Sequence, residues 1–139
     1  MRQLQHRIEI TTHGAGLYEL SETVREMLAA SGLSEGVLTV FCRHTSCSLL
    51  LQENADPDVR ADLQEFFGRL VPEGMDWITH RAEGPDDMPA HIKAALTQTS
   101  LSVPFSKGKP LLGTWQGLYL FEHRSRPHRR EVVLHAVGE

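Results

Sequence analysis

At 139 residues, 40% hydrophobic and 23% charged, the chain has the size and composition of one globular domain that buries a core without metal or disulfide support, which excludes a disordered chain. A formal net charge of -4 and a pI near 6.0 provide no basic field for a polyanion, which excludes nucleic acid as a partner. No run approaches the ~20 apolar residues of a membrane-spanning helix, and the alternating start MRQLQHRIEITT lacks the apolar block of a signal peptide, so a soluble protein with no membrane partner is expected.

Residues 2–10 alternate, placing Leu4, His6, Ile8 and Ile10 on one face of a half-buried first strand. Leu17, Leu20, Val24, Met27 and Leu28 recur at helical spacing and Ser31-Gly32 supplies a stop, which predicts a helix from about Gly16 to Ala30. Val37 to Arg43 is β-branched and aromatic, hence a strand. Ser46 to Gln52 is a second strand-like run that continues the first through a bulge near His44-Thr45 or pairs with it after a turn. Asp56-Pro57 starts a helix, with Val59, Leu63, Phe66, Phe67 and Leu70 as its apolar stripe and Val71-Pro72-Glu73-Gly74 as its end. A third helix follows near Pro89, with Ile92, Ala95 and Leu96 as the buried face and Asp86 and Asp87 favouring its amino-terminal end. Leu101 to Phe105, Thr114 to Glu122 and Glu131 to Val137 complete the strands. Without internal repeat or linker, residues 1–139 form one α+β domain of mixed or antiparallel, sandwich-like sheets with about three helices.

Three polar clusters interrupt this frame: FCRHTSCSLLLQENADPD from Phe41, HRAEGPDDMPAH from His80 and GTWQGLYLFE from Gly113. Polar groups set among apolar runs are expensive to bury without partners or a ligand. His44, His80 and His91 stand beside hydroxyls or carboxylates, and three imidazoles are a common set for zinc or a similar divalent ion, magnesium being the other candidate. No HxxxH, HExxH or CxxC pairing is present, so such a site must be assembled from distant segments. Glu53 and Glu83 are candidates for a general base or for orienting an imidazole, whereas Asp56, Asp58 and Asp86 read equally well as helix caps.

In the strand Thr114 to Glu122, Gln116 and Glu122 share one face and Trp115 shares the other with Gly117, which predicts close approach by a backbone or a ligand at the glycine. Ser46, Asn54 and Trp115 complete a candidate substrate site. The run Arg124, Arg126, Arg129, Arg130 is a solvated hairpin tip from which one arginine, Arg130, is placed to clamp a phosphate or carboxylate. Cys42 and Cys47 are too close in sequence for a disulfide framework, so a reduced, cytoplasmic setting is expected. Cys47 reads as a buried structural thiol, because an odd spacing along a strand separates it from His44.

On GVLTVFCRHTSCSLLLQENADPDVRADLQEFFGRLVPE, HRAEGPDDMPAHIKAAL and GTWQGLYLFEHR, the chain resembles the YjbQ-like family, often labelled secondary thiamine-phosphate synthase. The resemblance implies an α+β fold, a homotrimer with clefts between subunits, and a polar site using His44, His80 and His91 with Gln116 and Glu122 nearby. The family label implies hydroxymethylpyrimidine diphosphate and a thiazole phosphate as substrates. Where many relatives carry an asparagine-alanine pair ahead of the last histidine, this chain reads Asp87-Met88-Pro89. The expectation is thus an enzyme acting on a phosphorylated small molecule, with Glu83 or Glu53 accepting a proton. The alternatives are a trimeric metabolite- or anion-binding protein without turnover and a metal-dependent phosphate-ester hydrolase.

Overall fold

The alternation in RQLQHRIEITT forms β1 (Arg2–Thr12), whose Ile8 and Thr12 are buried while Arg7 and Glu9 face water. The structure, a computed structural model, describes residues 1–139. Along the chain follow β2 (Gly16–Glu19), α1 (Ser21–Ser31), β3 (Gly36–Cys42), β4 (Cys47–Glu53), α2 (Pro57–Leu70), α3 (Asp87–Leu96), β5 (Ser100–Ser106), β6 (Lys109–Pro110), β7 (Gln116–Glu122) and β8 (His128–Gly138). Five strands order as β1-β8-β3-β5-β6 and three as β2-β7-β4, with every pairing antiparallel. The fold is α+β with three helices, as the sequence pattern leads one to expect. No helix is long and apolar enough to cross a membrane.

One apolar cluster joins both sheets to α1, through Val24 and Leu28 of the helix, Leu38 and Val40 of β3, Leu134 of β8, and Leu49, Leu118 and Leu120 of the small sheet. β3 and β8 approach most closely where Gly36 faces Gly138, and a Cβ on Gly36 would overlap the Val137 carbonyl oxygen. Only glycine fits that crossing.

Several elements depart from their sequence signatures. The expected helix at Gly16 begins only at Ser21, because Gly16–Glu19 bonds to the edge of β7. Edge pairing there satisfies backbone groups that helical periodicity does not account for. β4 neither continues β3 nor pairs with it; it pairs with β7, so residues 43–46 carry the chain from one sheet to the other. α2 is capped as expected, Asp56 accepting the Asp58 N–H at 2.9 Å, but Phe66 and Leu70 of its stripe are exposed. Its contact with the small sheet runs through Phe67, edge-on to Phe121 at 5.5 Å. α3 buries Asp87, Pro89, Ala90 and Ala94 in place of Ala95 and Leu96, which are exposed. That rotation places Asp87 and His91 on the protein side of the helix.

Candidate metal centre

Asp87 and His91 sit one turn apart at the start of α3, so both project from the same helix face. The loop before the helix brings His80 and Glu83 back over that turn. One ligand atom from each of His80, Glu83, Asp87 and His91 lies within 4.8 Å of every other. Asp87 Oδ2 is the hub, with His80 Nε2 at 2.7 Å and His91 Nε2 at 3.1 Å, and the two rings are 5.5 Å apart between centroids.

The other side of each group is already held. His91 Nδ1–H donates to the Thr45 carbonyl at 2.7 Å, and Arg124 Nη1–H donates to Asp87 Oδ1 at 2.7 Å. Arg124 also bonds Asp86 through Nε at 3.0 Å and the Glu83 carbonyl through Nη2 at 2.9 Å, tying the loop to the end of β7. Burial opposes ionisation of Asp87, yet hydrogen bonds with His80 and Glu83 and the positive charges at His91 and Arg124 outweigh it and hold the carboxyl below its usual range. Asp86 is likewise drawn down to about 2 against the pull of burial by Arg124 and Ser125.

These donors fit a divalent cation. In a tetrahedral zinc site with bonds of about 2.0–2.1 Å, ligand atoms are spaced about 3.3 Å apart, close to the separations around Asp87 Oδ2. The backbone bond at Nδ1 fixes the His91 ring so that Nε2 is the nitrogen aimed at the cluster, the usual support of a metal-bound histidine. Both ring nitrogens, His80 Nε2 and His91 Nε2, converge on the single oxygen Asp87 Oδ2. Two imidazoles and two carboxylates suit zinc better than magnesium, which favours an oxygen shell rich in water. His80 and Glu83 are exposed, so one side of the cluster opens to solvent. Beside it lies a cleft of about 580 Å³ lined by Glu73, Glu83, Asp86, Arg124, Ser125 and Arg126.

The expected convergence of three imidazoles is a convergence of two. His44 Nε2 accepts the Glu131 backbone N–H at 2.7 Å, which commits that lone pair, and burial with the Arg130 charge lowers its basicity. Ser46, Glu122 and Arg130 face one another inside the protein. Arg130 Nε and Nη2 grip Glu122 at 2.8 and 2.5 Å, Nη2 also reaches Ser46 Oγ at 3.0 Å, and Thr12 donates to Glu122 at 2.6 Å. Both charged partners are buried, so Arg130 offers no clamp to a solvent-borne anion and Glu122 acts as the arginine's counter-ion.

Glu53, Asn54, Trp115 and Gln116 lie at the opposite end of the small sheet, about 20 Å from Cys47 along extended β4. There Asn54 bonds Glu19, Gln116 Oε1 accepts the Gly113 N–H at 2.8 Å, and Glu53 Oε2 is buried without a hydrogen-bond partner. Trp115 is exposed, and the close approach at Gly117 comes from Asn54, Tyr119 and Glu19 side chains. Of the expected site residues, one chain therefore gathers His80, Glu83 and His91.

Asp87, one of the acids that crowd the loop before His91, and Arg124, part of the basic run, both lie outside the expected site residues. Asp87 carried a signal, since an aspartate four residues before a histidine at a helix start places both on one face, whereas a search for paired histidines passes over it. Arg124 carried none, because its partners lie 37 and 38 residues away. A second unforeseen group is the buried chain in which Thr97 Oγ1 donates to Ser48 Oγ at 2.5 Å and Ser48 meets His123 Nε2 at 2.9 Å. Burial, reinforced by the Lys93 charge, pushes His123 down to about 3, so the ring is neutral.

Comparison with known proteins places this chain among relatives. The family described as UPF0047 protein YjbQ-like matches residues 6–139. UPF0047 protein sll1880 of Synechocystis sp. is 51% identical over 138 residues, covering 99% of this chain and 94% of that protein. UPF0047 protein YjbQ of Escherichia coli O157:H7 is 38% identical, covering 97% and 98%. Among solved structures, the conserved hypothetical protein TT1486 from Thermus thermophilus superposes with a TM-score of 0.85 at 33% identity, covering 95% of this chain and 99% of that one. A YjbQ/UPF0047 family protein from Clostridium acetobutylicum gives 0.84 at 31% identity, covering 96% and 99%.

Proposed function

The chain belongs to the YjbQ-like family, and we propose that it is a metal-dependent enzyme acting on a phosphorylated small molecule, with zinc held by His80, Asp87 and His91 and with Glu83 beside it as the base. The observation that carries this is the orientation of His91, whose Nδ1–H is anchored on Thr45 while Nε2 converges with His80 on one oxygen of a buried carboxylate. A zinc ion bound there would polarise a phosphoryl oxygen and make a bound water acidic. The chain's own groups do the rest. Arg124 holds Asp87 ionised and fixed against the opposing effect of burial. Glu83, the exposed carboxylate of the set, would take a proton from an attacking group. Arg126, on the rim of the adjoining cleft, meets the phosphate charge, while Arg124 is already committed to Asp86 and Asp87.

Thiamine phosphate formation fits this outline, since both the pyrimidine diphosphate and the thiazole phosphate carry the group that the cleft would receive. Hydrolysis of a simple phosphate ester is the second reading, favoured by the open, solvent-facing side of the cluster. The test incubates zinc-loaded protein with the pyrimidine and thiazole pair and, separately, with an aryl phosphate. Product in either assay, lost in Glu83→Gln with metal retained, supports an enzyme and assigns its class. Saturable stabilisation by phosphate with no product in any assay would mean a binding protein.

A further inference from the structure

We propose that Cys42 and Cys47 form an oxidative modification site, at which a hydroperoxide converts the two thiols to an intramolecular disulfide beside the loop that holds His91. Their sulfurs are 3.4 Å apart, and both residues are free and buried. Cys42 ends β3 in the large sheet and Cys47 begins β4 in the small one, so the pair faces itself across the crossover between sheets. A disulfide needs sulfurs about 2.05 Å apart, so bonding closes the gap by roughly 1.4 Å, a side-chain rotation plus a small loop movement.

The two thiols are not equivalent. Cys42 borders an open cleft of about 380 Å³ with Phe41, Arg43, His44, Thr45 and Thr99, room enough for a small peroxide, whereas Cys47 lies behind it with no accessible surface. A hydrogen bond from the Cys47 thiol, opposed by burial and helped by the His44 N–H and the Arg130 charge, holds Cys42 below the ordinary thiol range. The same hydrogen bond and burial push Cys47 well above it. Cys42 is therefore the attacking sulfur and Cys47 the resolving one. The Cys42 thiolate attacks one peroxide oxygen and breaks the O–O bond; the departing oxygen takes a proton and leaves as water or alcohol, and Cys42 becomes a sulfenic acid. Cys47 then attacks that sulfur, the S–O bond breaks, and the hydroxyl leaves as water with the Cys47 proton. Two electrons pass from the sulfur pair to one peroxide.

Residues 43–46, enclosed by the new ring, include Thr45, whose carbonyl anchors His91, and Ser46, which accepts from Arg130. Drawing the loop in disturbs the backbone support of one ligand. A second consequence, which rests on the metal site proposed above, is that oxidation weakens zinc binding by about tenfold to a hundredfold, the usual result of losing such support.

The experiment treats the reduced full-length protein with hydrogen peroxide and follows thiol content after denaturation, intact mass and zinc affinity. The expected result is joint loss of both thiols, a mass lower by two hydrogens, no cross-linked chains, and recovery with dithiothreitol. Cys47→Ser should halt at a Cys42 sulfenic acid captured by a 1,3-dicarbonyl probe, and in Cys42→Ser the remaining thiol should be inert. Two persistent thiols, or Cys42 carried to sulfinic acid with Cys47 still free, would overturn the proposal. Disulfide formation with unchanged zinc affinity would overturn the coupling alone. A chain that forms the disulfide yet binds no zinc in either state leaves the thiol site standing and removes the metal site.

Discussion

Arg124 shows how much of the centre depends on one side chain that would not itself bind the metal. Its guanidinium holds Asp87 Oδ1 and Asp86 together, which leaves Asp87 Oδ2 as the hub for both imidazoles. Arg124→Ala should weaken zinc binding about tenfold to a hundredfold at nearly unchanged helix content, and Arg124→Lys should recover only part, because a point charge lacks the two-pronged geometry. Competition titration against a zinc indicator measures both. His123 gives a prediction about pH. In the unfolded chain its ring protonates near the ordinary 6.5, in the folded chain only near 3. Between those values the unfolded state binds more protons, so stability falls as pH drops from about 6.5 towards 3, by at most about 1.4 kcal/mol per pH unit. Urea midpoints across that window should show the slope, and His123→Asn should flatten it; an unchanged slope in the variant would assign the effect to other groups.

Among the elements, legibility followed local chemistry. Asp56-Pro57 was readable because a cap and a first-turn proline act within their own turn, and β1, β3, β5 and β8 were readable because alternation or β-branching is confined to each strand. β2 was hidden inside a helical pattern because its reason for existing is the edge of β7, a hundred residues on. The buried face of α3 was misread because apolar bulk suggested Ile92, Ala95 and Leu96, whereas the helix is oriented by Asp87, Pro89, Ala90 and Ala94. The tightest packing was likewise silent in the sequence. Gly36 looks like an ordinary loop glycine before β3, yet a methyl group there meets the β8 backbone. Gly36→Ala should cost about 3 kcal/mol, read from a lower urea midpoint, while Gly68→Ala on the open side of α2, where nothing stands within 4 Å, should be neutral or stabilising.

At the scale of the molecule, the sandwich of two antiparallel sheets brings the crossover at residues 43–46, the loop at residues 80–86 and the start of α3 to one end of the small sheet and leaves Glu53 and Gln116 at the other. Sequence clusters identified which segments are polar, but strand direction decided which of them meet, and no spacing rule carries that. The outer face of the large sheet leaves Val37 and Phe41 each 45% exposed, and a homotrimer buried through that face is the assembly we propose. Sedimentation should then report three chains for the native protein and fewer for Phe41→Glu. Most directly, the metal account is tested by the zinc content of untagged protein purified without chelator. It predicts one zinc per chain, lost in His80→Ala and His91→Ala with the fold intact and retained in His44→Ala; metal-free native protein under zinc-replete conditions, or zinc that follows His44, would contradict it.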